Sequence, residues 1–189
     1  MLIPTLAIAA LFLQQPRHET PAARAARQAA FDTSREVISH VGLPVAEVKS
    51  ALDVYRRAVF NGTDDEVLHN ADYLRSSCHA TDSVARVMVP KVCRGCASRD
   101  VQRAFDDYRA MLPSLSRGTA QCSARLWQLE RGADAAKRLR HEVRNVGNPL
   151  VATLQVYESR LGVLLRALNI VAAPAGQASP PLRPRPARP

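Results

Sequence analysis

Apolar residues recur every three or four positions from about residue 23 to residue 171, which is the period of an amphipathic helix. No segment alternates apolar and polar residues as a half-buried strand does. The pattern predicts an all-α protein, an up-and-down antiparallel bundle of about five to six helices. The apolar stripes cover the following ranges: 23–40, 45–59, 63–89, 98–115, 119–145 and 150–171.

Residues that start or stop helices set the predicted breaks. Thr63 and Glu66 have the spacing of a capping box, which predicts the start of the third helix. Three tyrosines fall on the apolar stripes, which predicts core or boundary positions with the hydroxyls in contact with water, whereas Trp127 falls beside the stripe of the fifth helix. The predicted breaks are Gly42 to Pro44, Asn61-Gly62, Pro90 and Asn148-Pro149, and the three tyrosines are Tyr55, Tyr108 and Tyr157.

The two ends of the chain differ from this helical region. Residues 2–13 are nearly all apolar but too short to span a bilayer, which takes about 20 residues. We expect residues 1–13 to be a signal peptide or a short membrane-associated segment, and residues 14–22 to be a linker. Residues 172–189 are rich in proline and arginine, which predicts a disordered tail. The bundle domain is therefore expected at 23–171, in an exported protein of the periplasm or the extracellular space.

Composition narrows the classes of function. Only eight glycines occur in 189 residues, which argues against a barrel, a sandwich or a glycine-rich nucleotide site. No G-x-S-x-G, phosphate-loop or H-E-x-x-H motif occurs in the sequence. We therefore predict no cofactor, and the sequence favours a protein that is not an enzyme. The formal charge of +9 favours anionic partners.

The densest basic segment lies in the predicted fifth helix. Its candidate anion-contact residues are Lys137, Arg140, His141 and Arg144. Because acidic residues are interleaved, the alternative is a solvated face without a ligand. The expected partner is an anionic component of the cell envelope or an acidic protein, with no specific nucleic acid. Residues 2–13 are a possible membrane contact.

Helix lengths rank the cysteine pairings. If the third helix descends from the hairpin near residue 90 and the fifth climbs back, Cys78 and Cys122 reach similar heights on core faces. The predicted disulfides are therefore Cys78–Cys122 and Cys93–Cys96. A break near His79 would instead let Cys78 meet Cys96.

The Cys93-x-x-Cys96 pair also permits a different function. It precedes a predicted helix N-terminus and is flanked by basic residues, and both features stabilise a thiolate. The sequence thus predicts non-enzymatic binding or scaffolding of an anionic partner. Its alternative is a thiol redox or metal-binding module centred on Cys93 and Cys96.

Overall fold

A computed structural model describes residues 20–87, 93, 96 and 98–172, with side chains described up to residue 169. The chain forms helices α1 (Pro21–Val37), α2 (Leu43–Asn61), α3 (Asp64–Val87), α4 (Arg99–Leu129) and α5 (Ala135–Ala172). No strand occurs among these residues, as predicted. The expected signal segment, most of the linker and nearly all of the tail lie outside the described residues.

In the part of the chain that the structure describes, the helices make four continuous rods and not five or six separate helices. The first rod is α1 with α2, and the others are α3, α4 and α5. A π-helical turn, Ile38–Gly42, joins α1 to α2 without a break, so the predicted stop at Gly42 to Pro44 is wrong. The wider turn accommodates Pro44, whose ring would otherwise clash with the preceding turn. The helix continues because Val37, Val41 and Val45 remain buried through the join.

Two further predicted breaks are also absent. Pro113 lies inside α4 and Pro149 lies inside α5, so the expected gaps near residues 116–118 and at Asn148-Pro149 are continuous helix. Each proline removes one backbone hydrogen bond. The buried stripe continues on both sides of each proline, and the packing offsets that loss. Around Pro113 the stripe includes Leu112 and Leu115, and around Pro149 it includes Val146 and Leu150.

The real break between the last two rods lies where the sequence pattern suggested helix. Residues 130–134 form the turn from α4 to α5, and Gly132 there has a φ of 88°. Only glycine adopts that conformation readily. Ala133, which lies inside the predicted stripe of residues 119–145, is therefore exposed in this turn and does not face the core.

Contacts between rods confirm an up-and-down arrangement in which neighbours are antiparallel. Thr81 Oγ1 on α3 donates to the carbonyl of Pro44, which begins α2. Asp82 of α3 contacts Ser116 of α4, whereas the earlier residue Arg75 contacts the later residue Glu130, so these two helices run antiparallel. The first and last rods also meet, since Lys49 of α2 forms an ion pair with Glu158 of α5 at 2.6 Å.

The core confirms several sequence predictions. Tyr55, Tyr108 and Tyr157 are fully buried, so their rings lie in the core, but the predicted contact of their hydroxyls with water is wrong. The Tyr55 hydroxyl donates to the carbonyl of Leu139 at 2.9 Å and so ties α2 to α5. The capping box is also formed: Glu66 accepts from the Thr63 backbone N–H at 2.7 Å, and its own N–H donates to Thr63 Oγ1.

Candidate functional site

The outer side of the first half of α5 carries a row of basic residues. Lys137, His141 and Arg144 are exposed and follow each other at steps of four and three residues, so they share one helix face. We call these three residues the cationic face. None of them forms a hydrogen bond or an ion pair with another described residue. The face therefore has free charge to offer to an external anion.

Arg140, the fourth candidate, has an internal role instead. Its guanidinium is half-buried and donates to the carbonyl of Gly62 at 2.9 Å and to Asp64 at 3.0 Å. It also donates to the carbonyl of Val59 at the end of α2. Arg140 thus satisfies backbone groups that the helix end leaves without partners. The sequence pattern could not separate Arg140 from its neighbours, because its partners come from a distant turn.

The side of α5 that meets α4 is also occupied internally. Glu142 accepts from Arg125 at 2.9 Å and from Asn145 at 3.1 Å. The hydrogen bond from Arg125 is the main cause that lowers the pKa of the Glu142 carboxyl. Arg138 donates to the carbonyl of Leu129 near the end of α4. The interleaved acid therefore pairs mainly with α4, and of the cationic face its charge acts on His141.

The Cys93–Cys96 pair forms a disulfide in the structure, as the sequence analysis predicts. Both residues are half-buried against the core. They immediately precede Ser98, whose hydroxyl caps the N-terminus of α4 by accepting from the Val101 N–H at 3.3 Å. The disulfide thus lies beside the positive end of a helix dipole.

Cys78 and Cys122 meet in the core, but not by the predicted route, because Cys122 lies on the continuous α4 and not on a fifth helix that climbs back toward the hairpin. Cys78 is fully buried on α3, Cys122 is nearly so on α4, and their side chains hydrogen-bond to each other. In the structure both are free thiols. The predicted neighbourhood is therefore present, whereas the bond itself is not formed there and stays a prediction.

Trp127 faces α3 and not the last helix. Its ring is half-exposed and lies beneath two guanidinium groups, those of Arg75 at 5.5 Å and Arg131 at 4.3 Å. Arg75 is in turn held by Glu130 at 2.8 Å. Both arginines are thus within the range of a cation–π contact. The ring ends a shallow groove of about 430 Å³ between α3 and α4.

A polar cluster that the sequence did not reveal lies beside this groove. The nearly buried Asp82 accepts from Ser116 Oγ at 2.6 Å and from Arg86 Nε at 2.8 Å. Arg86 belongs to α3, as Asp82 does, and Ser116 belongs to α4. The hydrogen bond from Ser116 therefore joins α3 to α4. Such a contact needs two residues from distant segments, and neither residue belongs to a recognisable motif.

The alternative prediction is a metal-binding module centred on Cys93 and Cys96, and the described residues do not supply a set of ligands for it. Among the described residues, no group of three or more His, Cys, Asp or Glu side chains is placed to hold a metal ion. Cys93 and Cys96 are bonded to each other, while Cys78 and Cys122 are paired in the core. Within the same residues, no helix has the length and apolar character needed to cross a bilayer.

Comparisons with protein-family models, with curated proteins and with solved structures found no match for this chain.

Proposed function

We propose that this protein is a non-enzymatic helical bundle that binds an anionic partner through the cationic face of α5. The observation that supports this most directly is the contrast among the basic residues of that helix. Arg138 and Arg140 donate to internal carbonyls, whereas Lys137, His141 and Arg144 are exposed and have no described partner. A basic face whose side chains form no internal ion pairs attracts anionic groups over a Debye length.

We also propose that the protein acts outside the cytoplasm, in the cell envelope or the extracellular space. The apolar residues 2–13 have the length of a signal-peptide core, and the Cys93–Cys96 disulfide is of a kind that persists in oxidising compartments. The partner is accordingly an anionic component of the envelope or an acidic protein that reaches it.

The proposal is tested by charge reversal on the face. We would measure binding of the full chain to vesicles of phosphatidylglycerol in phosphatidylcholine, and separately to poly-L-glutamate, at several salt concentrations. A basic residue near an anionic membrane is worth about 1 kcal/mol, so Lys137→Glu with Arg144→Glu is expected to weaken vesicle binding by more than tenfold.

A matched control comes from α4, where Arg103 and Arg117 are exposed and have no described partner. Arg103→Glu with Arg117→Glu changes the net charge equally but leaves α5 intact. Binding that falls equally in both double variants would show that only the total charge matters. If Lys137→Glu with Arg144→Glu leaves binding to both the vesicles and poly-L-glutamate unchanged, the proposal is contradicted.

A second candidate function is thiol–disulfide exchange at Cys93 and Cys96. The specific observation is their half-buried disulfide directly before the capped N-terminus of α4. A helix N-terminus stabilises a thiolate leaving group there. The test is the pH dependence of alkylation in the reduced protein: a thiol that reacts well below pH 8 supports exchange, and one that reacts only near the free-cysteine pKa removes it.

A further inference from the structure

Arg56 of α2 lies flat against α5 over Gly147. A β-carbon at position 147 would lie only 2.9 Å from Arg56 Nη2 and 3.2 Å from Arg56 Nε. Gly147 is accordingly buried, although it lies on a helix of the bundle surface. Because Gly147 has no side chain, the Arg56 guanidinium has space to lie against the α5 backbone. This contact fixes the position of the guanidinium along the bundle axis.

This position places Arg56 beside the cationic face. Gly147 follows Arg144 by three residues, which makes them neighbours on the surface of α5. Arg140 precedes Arg144 by four residues and turns toward α2 as well. The seam between α2 and α5 thus carries three guanidinium groups over a rise of about 10 Å along α5.

These three groups have little internal compensation. Asp64 pairs with Arg140, at 3.0 Å. Arg56 and Arg144 form no ion pair or hydrogen bond within the part of the chain that the structure describes. Arg56 lines a groove of about 250 Å³ together with Asp53, with which it forms no ion pair, and with Lys49 and Glu158, which pair with each other. Like charges along one seam repel each other, and a bound anion relieves that repulsion.

We propose that Arg56 and Arg144 form a seat for a phosphate-class oxyanion at the α2–α5 seam, next to the cationic face. Guanidinium groups recognise such oxyanions because their planar fork donates two parallel hydrogen bonds. A guanidinium fixed over a glycine loses less freedom on binding than one that moves freely in solvent. The seat rests on the proposed function, which it deepens by naming the chemistry of the ligand.

Two variants separate geometry from charge. Arg56→Lys keeps the charge and removes the fork. Gly147→Ala keeps every charge and replaces a helix glycine with the best helix former, so we expect a Tm at or above that of the wild type. Its new β-carbon would displace the Arg56 guanidinium. A surface that attracts anions by net charge alone would not respond to either variant.

The experiment is calorimetric titration of the full chain with inorganic pyrophosphate, with sodium chloride of equal ionic strength as the control. A second arm uses vesicles of phosphatidic acid, which present the same oxyanion on a lipid. We expect each variant to weaken binding about tenfold, the factor that corresponds to loss of one charge-assisted hydrogen bond. Binding in the pyrophosphate arm alone, the vesicle arm alone or both identifies the source of the anion.

The outcomes distinguish the seat from the proposed function. Wild-type affinity in both Arg56→Lys and Gly147→Ala would overturn the seat, even if reversal at Lys137 and Arg144 still abolishes binding to vesicles. No binding of the wild type in either arm above the chloride control would also overturn it. If phosphatidylglycerol vesicles and poly-L-glutamate fail as well, the proposed function falls with it.

Discussion

The thiol of Cys78 on α3 and the thiol of Cys122 on α4 hydrogen-bond to each other inside the bundle core. The two cysteines are 44 positions apart in the sequence and come from neighbouring antiparallel rods. This hydrogen bond and, after it, burial raise the pKa of Cys78 far above that of a free thiol. The Cys78 thiol is therefore protonated and unreactive in the folded protein.

The reduced pair should resist alkylation until the protein unfolds. We expect iodoacetamide at pH 8 to leave Cys78 and Cys122 unmodified in the native protein and to modify both in denaturant, because both side chains are buried away from the reagent. Intact mass after timed alkylation measures this. Rapid native modification at either site would show that the core opens readily around the pair.

Oxidation should convert the same pair into a covalent link. Oxidised glutathione supplies the disulfide that is reduced, while the two thiols lose their protons and form the new bond. The closed loop of about 45 residues predicts a gain of about 4 kcal/mol in the free energy of unfolding in the chain-entropy model. Denaturant unfolding of the oxidised wild type and of Cys78→Ala with Cys122→Ala checks the gain. A non-reducing peptide map that joins Cys78 to a cysteine other than Cys122 would contradict the predicted link.

Alkaline pH should destabilise the bundle through its buried tyrosines. Burial raises the pKa of Tyr108 to about 12, and it also raises the pKa values of Tyr55 and Tyr157. Because the folded pKa values exceed the unfolded value of about 10, the stabilisation is complete below pH 10 and is lost as the pH rises above it. Tyrosinate absorbance should therefore rise together with loss of helical circular dichroism. Ionisation of all tyrosines in a protein that stays folded would contradict this account.

Removal of the Ser116 hydroxyl should weaken the contact between α3 and α4. Ser116→Ala leaves the nearly buried Asp82 without one of its two donors, and the expected loss is about 1–3 kcal/mol in the free energy of unfolding. Ser114→Ala on the same helix is the control, because Ser114 is exposed. If the two variants have the same free energy of unfolding in urea, the hydrogen bond from Ser116 to Asp82 does not stabilise the contact between α3 and α4.

Arg140 and Arg144 should differ in what they contribute. Arg140→Ala removes donors to the carbonyls of Val59 and Gly62, so we expect a loss of about 1–3 kcal/mol in stability. Arg144→Ala removes an exposed cation without a described partner, so its stability should stay within about 0.5 kcal/mol of the wild type. Thermal unfolding of both variants provides the comparison. A destabilised Arg144→Ala would indicate that this residue is structural.

Local signals in the sequence predicted much of the bundle. The capping box of Thr63 and Glu66 and the buried tyrosines follow from spacing within one helix. The sequence also predicts that Cys78 meets Cys122, but by way of a fifth helix that climbs back toward the hairpin, whereas Cys122 lies on the continuous α4. Proline was misleading at positions 44 and 149, because buried residues on both sides hold those helices together. The strength of that packing depends on partner helices and cannot be deduced from the segment itself.

The candidate site was predictable only in part. Spacing placed Lys137, His141 and Arg144 on one face, but it also included Arg140, whose partners lie about 80 positions earlier. Arg56 gave no signal at all, because its position depends on a glycine in another rod. Internal partners that come from distant segments thus decide which cations remain free.

The most direct test of anion binding through α5 is a map of the contact surface. We would record amide chemical shifts of ¹⁵N-labelled protein during titration with small bicelles that contain phosphatidylglycerol, and repeat the titration with neutral bicelles. The account predicts salt-sensitive shifts that cluster at residues 137–148 and near Arg56, only with the anionic bicelles. Shifts confined to the α3–α4 grooves, or identical responses to both kinds of bicelle, would contradict it.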